Sequence, residues 1–148
     1  MGLWVTLPPR DGERVLAVKT GCTLVPGTSL ALVGGILVLT NQRLYQGPLN
    51  TRVFGRLLSL LGEAVGPPGT TEVVDVFSSW ANKATAVPLG SVVSVDPVGR
   101  AVLRVTTEDG RQRRFGVAAT WRSPVWSRNN TPHRDEMVSL IRAAISVV

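Results

Sequence analysis

Gly35-Ile36-Leu37-Val38-Leu39-Thr40-Asn41-Gln42-Arg43-Leu44-Tyr45 is the stretch on which the reading of the fold turns. An unbroken apolar run, Ile36 to Leu39, gives way to the polar interval Thr40-Asn41-Gln42-Arg43 and then to Leu44 and Tyr45. The interval is too short to hold a helix and rich in residues whose side chains bond their own backbone, so two strands joined by a tight polar turn are expected between Gly35 and Gly47.

Working outward, Glu13 to Leu24 is β-branched and apolar, bounded by Pro8, Pro9 and Gly12 on one side and Pro26-Gly27 on the other, which predicts a strand. Val87 to Val95 is strand-like, and Pro97 ends it or demotes its end to a sheet edge. Ala101 to Thr107 and Arg111 to Ala118 flank Glu108-Asp109-Gly110, where the Asp-Gly pair supplies the positive φ of a hairpin turn. After these the period changes. Met137, Leu140, Ile141, Ala144, Ile145 and Val148 recur at helical spacing, with Thr131 as a cap and Pro132 in the first helical position, so residues 131–148 read as a helix with one buried stripe. Strands first and one amphipathic helix last predict a mainly β (α+β) fold, a curled antiparallel sheet or small barrel covered by that helix. The 148 residues fit one domain, 1–148.

These residues resemble the GRAM branch of the pleckstrin-homology-like (PH-like) family. Gly35 to Tyr45 is similar to the GRAM signature, an apolar strand followed by Leu-Thr-Asn-x-Arg-Leu, and Val87-Pro88-Leu89 to Val95 is similar to a later family segment in which a Pro-Leu step precedes an apolar strand. The hairpin, Trp121 and the terminal helix follow in the family's order. The resemblance implies a bent sheet of about seven strands capped by the C-terminal helix, no catalytic machinery and no cofactor, and binding of lipid headgroups or proteins at loops of the open end. The chain departs from the pattern in having only Arg14 and Lys19 near the first hairpin, and in an insertion over 50–85 where the family has a short connection.

Within that insertion Val53, Phe54, Leu57, Leu58, Leu60, Leu61, Ala64 and Val65 fall on one arc at helical spacing, while Arg52, Gly55, Arg56, Ser59, Gly62 and Glu63 fall on the other. An amphipathic helix is therefore expected near 52–65, stopped by Gly66-Pro67-Pro68-Gly69. Burying its leucines is worth roughly 1.5 to 3 kcal/mol each, so the stripe must cover something: its own sheet, a second copy or a partner. Phe54, Leu57, Leu58 and Leu61 are the candidate partner-interface residues.

Charge narrows the partner classes. The net charge is +6, and the segment from Arg100 to Arg134 holds eight arginines against Glu108 and Asp109. Arg111, Arg113, Arg114 and Arg122 are the candidate anion-binding residues, because the planar guanidinium fork holds carboxylate or phosphate with two bonds. Strand alternation nevertheless sets Arg114 opposite Arg111 and Arg113. A solubilising arginine face on a bacterial protein is the plain alternative, in keeping with 14 arginines against two lysines.

Catalytic and metal-binding classes find little support. The single histidine, His133, sits at a helix start where it is expected to be solvated, and the single Cys22 lies inside a strand without a second thiol nearby, as a buried structural thiol would. No phosphate-loop or dinucleotide glycine pattern occurs. Of the tryptophans Trp4, Trp80, Trp121 and Trp126, Trp121 is expected in the core and Trp126 beside Arg122 and Arg128 is the one suited to stacking. No catalytic, cofactor or metal residues are assigned. The apolar run Leu30 to Leu39 is about half a membrane span. A cytoplasmic binding or scaffold module is expected, with contact to a protein or a second copy ranked first, an anionic membrane surface (peripheral lipid binding) second, and nucleic acid through 100–134 third.

Overall fold

The structure, a computed structural model, describes residues 4–6, 13–24, 31–48, 52, 54–55, 79–118 and 128–147. Seven strands form one antiparallel sheet: β1 (Val15–Leu24), β2 (Ala31–Thr40), β3 (Arg43–Pro48), β4 (Thr85–Pro88), β5 (Val92–Val98), β6 (Val102–Thr107) and β7 (Gln112–Ala118), in the order β4-β3-β2-β1-β7-β6-β5. The C-terminal helix, α1, spans Thr131–Val147. The sheet is bent but not closed, since β4 and β5 stand at its two ends.

The apolar run Ile36 to Leu39 is explained by burial on both faces of β2, which removes the need for alternation. Leu37 and Leu39 enter the main core with Ala17, Leu44, Leu103, Val105, Phe115 and Val117, beneath Met137, Val138, Ile141 and Ala144 of α1. Ile36 and Val38 face the other way, into a second cluster with Val18, Tyr45, Trp80, Ala81, Ala84 and Ala86. The expected strand Val87 to Val95 is in fact two. Thr85–Pro88 ends one half of the sheet, a single 3-10 turn at Leu89–Ser91 drops Leu89 into the core, and Val92–Val98 opens the other half as an edge strand containing Pro97.

Three expectations about the helix start are corrected. The Thr131 hydroxyl donates to the Arg100 carbonyl at 2.6 Å and so ties the helix to the β5–β6 turn. His133 is half-buried, its Nδ1 lying 3.3 Å from Lys19 Nζ of β1, and Lys19 also meets Glu136 at 3.4 Å. Arg134, counted above as surface charge, is buried, and its guanidinium donates to the carbonyls of Val98, Gly99 and Val102 at 3.1, 3.1 and 2.7 Å. Gly99 has φ +58, and the curled turn it allows turns those carbonyls toward one arginine.

Of the inserted helix, residues 52, 54 and 55 are described and are helical. Leu57, Leu58 and Leu61 lie outside the described residues. Phe54 is half-buried against the second cluster, and at the far end of the insertion Trp80, in a helical turn over 79–81, packs on Tyr45 with ring centroids 6.3 Å apart and donates from Nε1 to the Pro48 carbonyl at 2.9 Å.

Candidate functional site

The turn between β2 and β3 is built as a buried polar knot. Thr40 Oγ1 accepts the backbone N–H groups of Gln42 and Arg43, at 3.2 and 2.9 Å, which closes the tight turn. The same hydroxyl reaches Glu13 Oε2 at 2.7 Å, and the Tyr45 hydroxyl donates to that carboxylate oxygen at 2.7 Å. Arg43 Nη1 donates to the Tyr45 hydroxyl at 3.2 Å and lies 4.0 Å from Glu13 Oε1. Asn41 pairs with Arg14, its Oδ1 accepting the Arg14 N–H at 2.7 Å and its own N–H donating to the Arg14 carbonyl. The Glu13 and Arg43 side chains are 2% and 3% exposed, so the most specific motif in the chain is held inside and serves the fold. Burial, followed by the bond to Glu13 and its charge, pushes the Tyr45 hydroxyl well above its ordinary value, against the opposing pull of Arg43.

The basic hairpin is divided between two faces. At its tip Gly110 has φ +82, Asp109 accepts from the Thr107 hydroxyl and from the Arg111 N–H, and these bonds hold its carboxyl below the usual range. Arg111 is exposed, with Nε 4.0 Å from Asp109 Oδ2. Arg113 shares the face of Phe115 and lies over Trp4, its guanidinium carbon 4.8 Å from the ring centroid; partial burial lowers its pKa. Arg114 is on the outer face, directly across from Arg104 of β6. Arg122, like Trp121 and Trp126, lies outside the described residues. The structure thus brings Arg111 and Arg113 to one corner and sends Arg114 elsewhere.

Residues that carry no signal of their own in the sequence prove central. Trp4 enters the core against Phe115, centroids 5.5 Å apart, while Val5 beside it exchanges two backbone hydrogen bonds with Ala86 of β4. Asp96 of β5 meets Arg104 Nη2 at 3.6 Å and Arg142 Nη2 at 3.4 Å, and Arg142 Nε donates to the Val95 carbonyl on the sheet edge. A concavity lined by Gly21, Gly35, Ile36, Leu37, Gln46, Phe115 and Gly116 offers about 10 Å³, room for about one water and no small molecule. Among the described residues no group of three metal-ligating side chains gathers, and no helix is long and apolar enough to cross a membrane.

A bent seven-stranded antiparallel sheet with a C-terminal helix defines the PH-like class of fold. Solved structures agree: the chain is similar to the linker-DH/PH domains of p115-RhoGEF in two crystal structures, with TM-scores of 0.54 over 94% of this chain at 9% and 10% identity. It is also similar to the C-terminal domain of an unknown protein from Leishmania infantum, with a TM-score of 0.50 at 12% identity over 91% of this chain and 86% of that one. The chain spans 31% of the p115-RhoGEF chains, and at such identities the likeness is one of fold. No family model and no curated protein matches the sequence.

Proposed function

We propose that this chain is a non-enzymatic binding module of the PH-like class, related to the GRAM branch through its Leu39 to Tyr45 motif, and that it works by protein–protein or self-association contacts made by its insertion. One observation carries the reading: the insertion is fastened at both ends, by Phe54 and Trp80, over the outer face of β1–β4, a face that a single sheet would otherwise present to solvent. On this reading the leucine stripe expected from the sequence at Leu57, Leu58 and Leu61 supplies the contact with the second surface. Sedimentation equilibrium tests this directly. The expected mass exceeds one chain and falls to one chain on Leu57→Asp or Leu61→Asp, with the circular dichroism unchanged; a wild-type monomer at micromolar concentration that also captures no protein partner ends the reading. Arg111 at the exposed hairpin tip leaves an anionic membrane as the rival, which predicts sedimentation with anionic but not neutral vesicles.

A further inference from the structure

The outer face of β5, β6 and β7 carries a row set by strand register: Asp96 pairs with Arg104, and Arg104 with Arg114. Cβ atoms of directly opposed residues stand about 5 Å apart, and like charges so placed repel. Asp96 offsets only part of this, because it also serves Arg142. Two guanidinium groups, those of Arg104 and Arg142, therefore share the one carboxylate, and Arg104 and its cross-strand neighbour Arg114 are incompletely bonded. Arg104 Nε is sealed from solvent with no hydrogen-bond partner. Arg114 is half-buried, and among the described residues its guanidinium has no hydrogen bond or ion pair. The Nε of Arg104 is closed to an arriving group, so the half-buried Arg114 guanidinium is the unpaired donor that an acceptor meets, with the Arg104 charge beside it adding attraction.

We infer that Arg104 and Arg114 form a receptor for a side-chain carboxylate of an acidic peptide segment on a protein partner. The chemistry fits the anion: the Arg114 fork offers paired N–H groups beside the Arg104 charge, and Ser94, Thr106 and Gln112 form the next row along the same face, able to bond a peptide's polar groups. A peptide is favoured over a bilayer because both arginines are only partly exposed, Arg104 to 33%, so a flexible carboxylate reaches them more readily than a plane of headgroups. The site is separate from Arg113, which lies on the opposite side of β7 over Trp4. The inference rests on the binding-module reading but not on self-association.

The test is fluorescence anisotropy with a labelled oligoglutamate peptide, with inorganic phosphate and phosphatidylserine vesicles as parallel probes. Wild type is expected to bind the peptide with an affinity that falls as salt rises, and Arg114→Gln to weaken it roughly tenfold or more, since a charge-assisted pair is lost. Arg114→Lys is expected to recover only part, because the fork is missing. Arg111→Gln serves as the control and leaves binding unchanged. Arg114→Gln removes a group with no described partner and a like-charge neighbour, so its melting temperature holds or rises, which keeps the test free of unfolding; Arg104→Gln repeats it from the other strand. Absent peptide binding, equal loss on Arg111→Gln, or an effect of Arg114→Gln on vesicles alone overturns the inference. A chain that is monomeric yet binds peptide overturns self-association only, and an oligomer that ignores the peptide overturns this site only.

Discussion

At the scale of single residues, the Glu13–Thr40–Arg43–Tyr45 knot shows how a sequence motif earns its specificity. Each member is buried and each supplies what another lacks: a hydroxyl closes the turn, a carboxylate takes two hydroxyl donors, and a guanidinium balances the carboxylate. Breaking a buried charge pair by deleting one partner costs about 3–5 kcal/mol, so Glu13→Ala is expected to lose that much in urea unfolding while Thr40→Ser changes little. Tyr45 adds a pH signature. Its folded pKa is raised, so its contribution is complete below the ordinary tyrosine value near 10 and is lost as pH climbs from there toward the folded value. Tyr45 is the chain's single tyrosine, so phenolate absorbance reads it alone. The native protein is expected to show no phenolate until it unfolds in alkali, and Tyr45→Phe to flatten the stability decline above pH 10; a normal titration in the folded state refutes the knot. Thr40, Asn41 and Arg43 were legible as a turn, but Glu13 was not, because nothing in a lone acid before a strand says which turn it will face.

At the scale of elements, the close approaches decide which strands meet. Gly21 of β1 pairs with Val117 of β7, and a Cβ there would stand 1.9 Å from the Gly116 carbonyl oxygen. That oxygen is backbone and cannot step aside without opening the ladder. Gly21→Ala is expected to cost about 3 kcal/mol and to remove hydrogen-exchange protection first from β1 and β7; unchanged protection refutes it. The helix shows the same division of labour. Its apolar stripe was readable from the spacing of Met137, Ile141 and Ala144, whereas its attachment through Arg134 to three turn carbonyls was not, since a guanidinium in a basic segment looks like surface charge until the turn curls around it. Alternation in β7 correctly separated Arg114 from Arg113; only register could join Arg114 to Arg104.

At the scale of the whole molecule, the open sheet is spanned by the segment at residues 4–6, with Trp4 on Phe115 of β7 and Val5 bonded to Ala86 of β4. Trp4→Ala is expected to destabilise the protein by about 3–5 kcal/mol, read as a lower urea midpoint, and near-wild-type stability would show that the sheet halves need no such clasp. The insertion plays the matching part outside, turning the outer face of β1–β4 into a second core and leaving the outer face of β5–β7 polar and half-exposed. That asymmetry places the proposed binding surfaces. The sequence by itself determined the run of strands ending in one helix, apart from the break at Leu89–Ser91, together with the sharp turns and the stripe of the C-terminal helix, because these follow from neighbours a few residues apart and from the periods of strand and helix. Only the tertiary structure decided which charges are consumed inside and which stand in an unbalanced row, because pairing between distant residues is a property of register and chain path, and those are set by the packing of the whole.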